Sequence, residues 1–151
     1  VDRPNSPQSV IVGGRVLDRK GTDDLLVLNS ANEVFGGGFL SRINMNLRET
    51  KGWSYGVRSI VQQPLDRSSF LVFAPVQADR TGDSITELRS DLAAFTTGRG
   101  VTGEELTRLI NGNVRELPGR FETSGDVLGG MVDIVTYGRP ADYYDTLAAR
   151  Y

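Results

Sequence analysis

At 151 residues with 38% hydrophobic content, the chain holds enough apolar material for one sizeable core, and a net charge of -2 argues against a nucleic-acid surface, which calls for a basic patch. It has no cysteine and no histidine, which excludes disulfides, thiolate metal sites, imidazole bases, Ser-His or Cys-His nucleophile pairs and His-ligated zinc within this chain. No apolar run approaches the roughly 20 residues that cross a bilayer.

In chain order, residues 5–8 are a polar lead-in and residues 9–17 read as a strand, with Val10, Val12 and Val16 facing away from Ile11 and Leu17. Gly13 and Gly14 interrupt that alternation, as at a bulge or a close backbone approach. Residues 18–21 form a polar turn. Thr22 is a candidate N-cap, with Asp23 and Asp24 placed well against the helix dipole, for a helix running to Phe35 that buries Leu25, Leu28, Ala31, and Asn32 or Phe35.

Gly36, Gly37 and Gly38 then make a corner into a second helix. Its apolar positions Phe39, Leu40, Ile43 and Leu47 lie on one side, and Ser41, Arg42, Asn44, Asn46 and Glu49 are polar. Lys51 and Gly52 supply a basic last turn and a residue that tolerates positive φ. Residues 54–63 and 68–77 read as two strands joined by the loop 64–67, with Tyr55, Val57, Ser59 and Val61 on one face and Gly56, Arg58 and Ile60 on the other. Residues 70–75 are apolar on both faces, which predicts a central strand.

Only helices follow. Thr81 is expected to cap one containing Ile85, Leu88, Leu92 and Phe95, ending at residues 98–100. Thr102 and Glu105 form a capping box ahead of Leu106, Leu109, Ile110 and Val114. Pro118-Gly119 breaks that helix; residues 124–137 form another, stopped by Gly138, and Pro140 is expected in the first turn of the last. The pattern predicts an α+β fold, a two-layer sandwich of a mainly antiparallel sheet covered on one face by helices. A first residue of Val and a last residue within a helical pattern lead us to expect that residues 1–151 are a single domain of a longer protein, its targeting information elsewhere. Lack of cysteine suits the bacterial periplasm and envelope or the cytoplasm alike.

Three features could carry chemistry. The three glycines follow a helix and lack the lysine of a phosphate loop, so they read as a tight corner instead. The carboxylate pairs Asp23-Asp24 and Glu104-Glu105 sit in first helical turns, where the dipole accounts for them. Arg48, in a helix's last turn, and Tyr55, at the start of a strand, can point into one space. A guanidinium and a phenol aimed together offer donors to a carbonyl oxygen or oxyanion, although an Arg at a helix C-terminus and a Tyr in a strand are also ordinary structural choices.

Residues 35–59, FGGGFLSRINMNLRETKGWSYGVRS, resemble the second-domain signature of the pitrilysin-type zinc metallopeptidases, a group that includes insulysin, the mitochondrial processing peptidase and the core proteins of the respiratory cytochrome complex. The matching residues are Gly36 to Gly38, Ser41-Arg42-Ile43, Leu47-Arg48-Glu49, Lys51-Gly52 and Tyr55. The resemblance extends to Asp2-Arg3-Pro4, Gln8-Ser9, Val101-Thr102 with Glu104-Glu105-Leu106, Phe121-Glu122-Thr123, Tyr137-Gly138, Pro140 and Tyr143-Tyr144.

The resemblance implies a two-domain clamshell around a chamber, in which the other domain or subunit carries zinc in an H-x-x-E-H site and this chain binds the peptide substrate. By the same resemblance, Tyr55 donates to the scissile carbonyl, Arg48 holds a neighbouring carbonyl or orients Tyr55, and Gly36, Gly37, Gly38 and Phe39 border the substrate. The chain alone, having no zinc site, is expected to be inactive. The alternative is a non-catalytic assembly subunit of the same fold. An apolar face awaiting its partner domain also predicts self-association, a homo-oligomer, when the domain stands alone.

Overall fold

The computed structural model describes residues 5–151; the Asp2-Arg3-Pro4 part of the resemblance lies outside them. Strand β1 (Gln8–Val16) leads to helix α1 (Leu26–Asn32), which widens into a π-helical turn (Glu33–Gly37). Helix α2 (Arg42–Asn44) does the same at once, continuing as a second π-helical stretch (Met45–Thr50). Strands β2 (Arg58–Gln62) and β3 (Ser69–Gln77) follow, then α3 (Thr81–Thr97), α4 (Gly103–Glu116), α5 (Ser124–Tyr137) and α6 (Tyr143–Arg150). The fold is α+β. The sheet order is β1-β3-β2, antiparallel throughout, so the doubly apolar β3 is central.

Burial follows from the pleat, which sends alternate side chains to opposite faces. Ala74 and Val76 of β3 and Ser59 of β2 turn to the helices and are buried, with Ile11, Phe70 and Val72 partly covered beside them. The core is completed by Phe35, Ile43, Leu47, Val57 and Leu88. Phe35 stacks at a tilt on Phe70 and Phe95, with ring centroids 6.0 and 5.3 Å away. The opposite face of the sheet is open: Val10, Val12, Val16, Ile60 and Phe73 are all exposed on it.

Several local expectations change. The first helix begins at Leu26, not at Thr22, because Asp24 turns its own carboxylate onto the Leu26 N–H at 3.2 Å and ends the loop there. Thr81 is not a cap but a helical residue, its hydroxyl donating to the Ala78 carbonyl at 2.8 Å. Pro140 lies ahead of α6, where its carbonyl accepts from the Tyr143 N–H. Phe39 and Leu40 are exposed and precede α2, whereas Asn44 is buried beside Ile43 and Leu47. Strand β2 starts at Arg58, leaving Tyr55 in the bend before it. The capping box of Thr102 and Glu105 forms as read.

Candidate functional site

The site grows out of the corner at residues 36–38. Gly36 is buried and must be glycine, since a Cβ there would lie 2.3 Å from Ser59 Oγ and 2.5 Å from Ile43 Cδ1. That approach seats the corner on β2, and Asn32 fastens it. Its Oδ1 accepts from the Ser59 hydroxyl at 2.6 Å and its Nδ2 donates to the Ser59 carbonyl at 3.2 Å. The chain then reverses through Phe39 into α2.

Arg42 anchors this short helix from outside. Its guanidinium donates through Nε and Nη2 to both carboxylate oxygens of Glu105, at 2.8 and 2.7 Å, and also to the carbonyls of Arg99 and Gly100 beyond α3. Paired forks of this kind fix orientation as well as distance. The Arg42 hydrogen bonds, helped by those from Thr102, hold the Glu105 carboxyl down at about 2 against a smaller opposing effect of burial.

Asn44, read from the sequence as part of a polar face, is 4% exposed and works inside. Its Nδ2 donates to the Phe39 carbonyl at 2.7 Å and its Oδ1 accepts from the Val57 N–H at 2.9 Å. One amide therefore ties the corner to the segment carrying Tyr55. The signal was available: position 44 is i+1 from Ile43 and i−3 from Leu47, on the apolar side of the helix.

After Asn44 the helix widens, and Gly52 ends it at φ +66°. Arg48 lies in this stretch with its guanidinium carbon 4.5 Å from the Phe39 ring centroid and 5.7 Å from that of Tyr55. Arg48 Nε also lies 3.4 Å from Glu49 Oε1. Tyr55 is 89% exposed, and among the described residues its hydroxyl has no hydrogen-bond partner. Arg48, Tyr55 and Phe39 are thus brought together, and Gly37, Gly38 and Phe39 border a cavity of about 390 Å³ that reaches Asn44, Gly56 and Phe73. Gly36, in contrast, is occupied by packing and borders no such space.

A free phenol beside a guanidinium can donate to a peptide carbonyl. It cannot by itself supply a nucleophile or a base. Among the described residues no group of three or more His, Cys, Asp or Glu is placed to hold a metal ion, so zinc does not fit those residues. No helix among them is long and apolar enough to cross a membrane.

Residues 1–113 match the family profile described as the peptidase M16 inactive domain. The chain belongs to the peptidase M16 family. This is the group that the glycine corner and the Arg48–Tyr55 run resemble. An uncharacterized zinc protease of Mycobacterium leprae is 33% identical over 88 residues, 58% of this chain and 19% of that protein. The M16 inactive domain of Pseudomonas fluorescens superimposes with a TM-score of 0.81 at 22% identity, over 96% of this chain and 34% of that one. A protease of Helicobacter pylori does so with a TM-score of 0.77 at 20% identity, over 91% and 33%. The M16 chain described here therefore spans about a fifth of the one relative and a third of each solved chain.

Proposed function

We propose that this M16 domain is the substrate-positioning half of a zinc metalloendopeptidase, facing a zinc-bearing H-x-x-E-H domain or subunit across a chamber that holds the peptide. The observation that carries the reading is the convergence of Arg48 on Tyr55 while the Tyr55 hydroxyl is left free and exposed. In the bound peptide the Tyr55 hydroxyl donates to the scissile carbonyl oxygen as negative charge builds on it. Arg48 keeps a positive charge beside the phenol and holds its ring, or takes a neighbouring carbonyl. A donor fixed in advance stabilises the transition state more than the ground state, and losing one costs about 10²-fold to 10³-fold in turnover. Zinc, held by the partner's H-x-x-E-H residues, would supply the activated water.

The test uses the complete two-domain protein or reconstituted pair, with zinc and a quenched fluorogenic peptide. Tyr55→Phe is expected to lower kcat by about two orders of magnitude with zinc content unchanged, and the isolated domain to be inactive. Full activity in Tyr55→Phe would remove the oxyanion role, and absence of cleavage in every assembly would favour a non-catalytic assembly subunit.

A further inference from the structure

Arg58 and Phe73 stand side by side where β2 and β3 pair, in a row that continues to Val12 of β1. All three are exposed, on the face of the sheet that the helices leave open. The Arg58 guanidinium carbon lies 5.3 Å from the Phe73 ring centroid. A guanidinium laid on a ring is held in place while the N–H donors in its plane stay free. Both residues border the cavity of about 390 Å³ that also reaches Gly37, Gly38 and Phe39, so the open face of the sheet meets the candidate site there. That volume is many times the ~30 Å³ that a water molecule takes in the liquid, and it has room for a side chain or a chain end.

No carboxylate of the described residues pairs with this charge. Arg58 enters none of their ion pairs, whereas Arg48 has Glu49 Oε1 3.4 Å away. Charged residues often guard an edge strand such as β2 against a foreign strand. That edge is already covered, since the Val57 N–H donates to Asn44 Oδ1 and the Ser59 carbonyl accepts from Asn32 Nδ2.

The cavity is positive. No Asp or Glu is among the described residues that border it, and Glu33, across the glycine corner, borders the space on the α4 side instead. We propose that Arg58 binds a carboxylate of the peptide, carried by an acidic side chain or by a free C-terminus. Two parallel N–H donors of the guanidinium meet the two carboxylate oxygens, and Phe73 behind the guanidinium holds the fork. The proposal rests on the reading of Arg48 and Tyr55 as the peptide site. Arg58 follows Tyr55 by three positions in the same segment, and Phe39, under Arg48, is a wall of the cavity that Arg58 borders.

The experiment uses the complete zinc-loaded protein and quenched fluorogenic peptides in matched pairs. In one set each position in turn carries glutamate or its uncharged near-isostere glutamine; in the other the C-terminus is a free acid or an amide. One pair is expected to favour the carboxylate in kcat/KM by about fivefold. A margin in the first set identifies an acidic side chain as the source, and a margin in the second identifies the chain end. Arg58→Gln should abolish that margin, Arg58→Lys should keep part of it, and Arg58→Glu should invert it. Arg58 is exposed, so these variants leave the core untouched. Equal rates within every pair, or an intact margin in Arg58→Gln, would overturn the assignment. Unchanged kcat in Tyr55→Phe would sink the oxyanion reading, while the ratio within the pairs still decides the role of Arg58. No cleavage in any assembly would overturn both.

Discussion

The guanidinium of Arg48 lies over the ring of Phe39, 4.5 Å from its centroid, closer than it lies to Tyr55. Phe39 thus determines where the charge beside the phenol stands. A cation over an aromatic face is worth about 0.5–1 kcal/mol when exposed and about 2 when desolvated. Phe39→Leu should therefore lower kcat/KM of the assembled peptidase about twofold to tenfold. In an Arg48→Ala background the same change should cost almost nothing, and a double-mutant cycle on kcat/KM measures the difference. Additive effects would mean that Phe39 does not act through Arg48.

Asn44 offers a second test because its two hydrogen bonds can be removed separately. Asn44→Asp keeps the acceptor for the Val57 N–H and loses the donor to the Phe39 carbonyl; Asn44→Leu loses both. Each should destabilise by about 1–3 kcal/mol, Leu more than Asp, in urea unfolding. Burial raises a carboxyl pKa, and a protonated Asp can donate again, so the Asp variant should regain stability as pH falls. A loss that does not depend on pH would contradict the donor role.

At Gly36 the prediction is steric. Gly36→Ala places a methyl inside contact distance of Ser59 and Ile43, and the corner and β2 must part to admit it. The expected cost is about 1–3 kcal/mol, read as a fall in Tm, with peptidase activity falling further because Phe39 moves with the corner. A neutral substitution would show that the corner is free to shift.

Much of this architecture was legible in the sequence where a side chain answers to a local rule. The alternation of β3, the Thr102–Glu105 box and the positive φ of Gly52 are of that kind. The boundaries around the site were less so, because the bond pattern there changes from i→i+4 to i→i+5, as in Gly38 N–H to Glu33 carbonyl at 3.0 Å. An apolar period read as 3.6 cannot register that change, and it carried Phe39 and Leu40 into a helix they do not join. The grip of Arg42 on Glu105 spans 63 positions, and no local pattern announces a contact at that separation.

That grip also predicts an acid response. Hydrogen bonds from Arg42, and then from Thr102, hold the Glu105 carboxyl at about 2 when folded, below its ordinary range. The folded pKa is the lower one, so the pair stabilises fully above the unfolded value of about 4.3, and that stability is lost as pH falls toward 2. Glu105→Gln should cost about 1.5–3 kcal/mol at neutral pH. The gap between wild type and variant, measured by urea unfolding, should close between about pH 4.3 and 2. A gap that stays constant through that window would mean that the carboxylate charge contributes nothing.

The wide stretch Met45–Thr50 amounts to an α-helix with a residue inserted. Such an insertion is absorbed where it lies: the turns on either side keep their facing, and the residues within the wide stretch, Arg48 among them, are turned from the positions that ordinary winding would give them. The placing of Arg48 against Phe39 and Tyr55 thus hangs on one extra residue, a feature that a single codon can add or take away while the surrounding fold is kept.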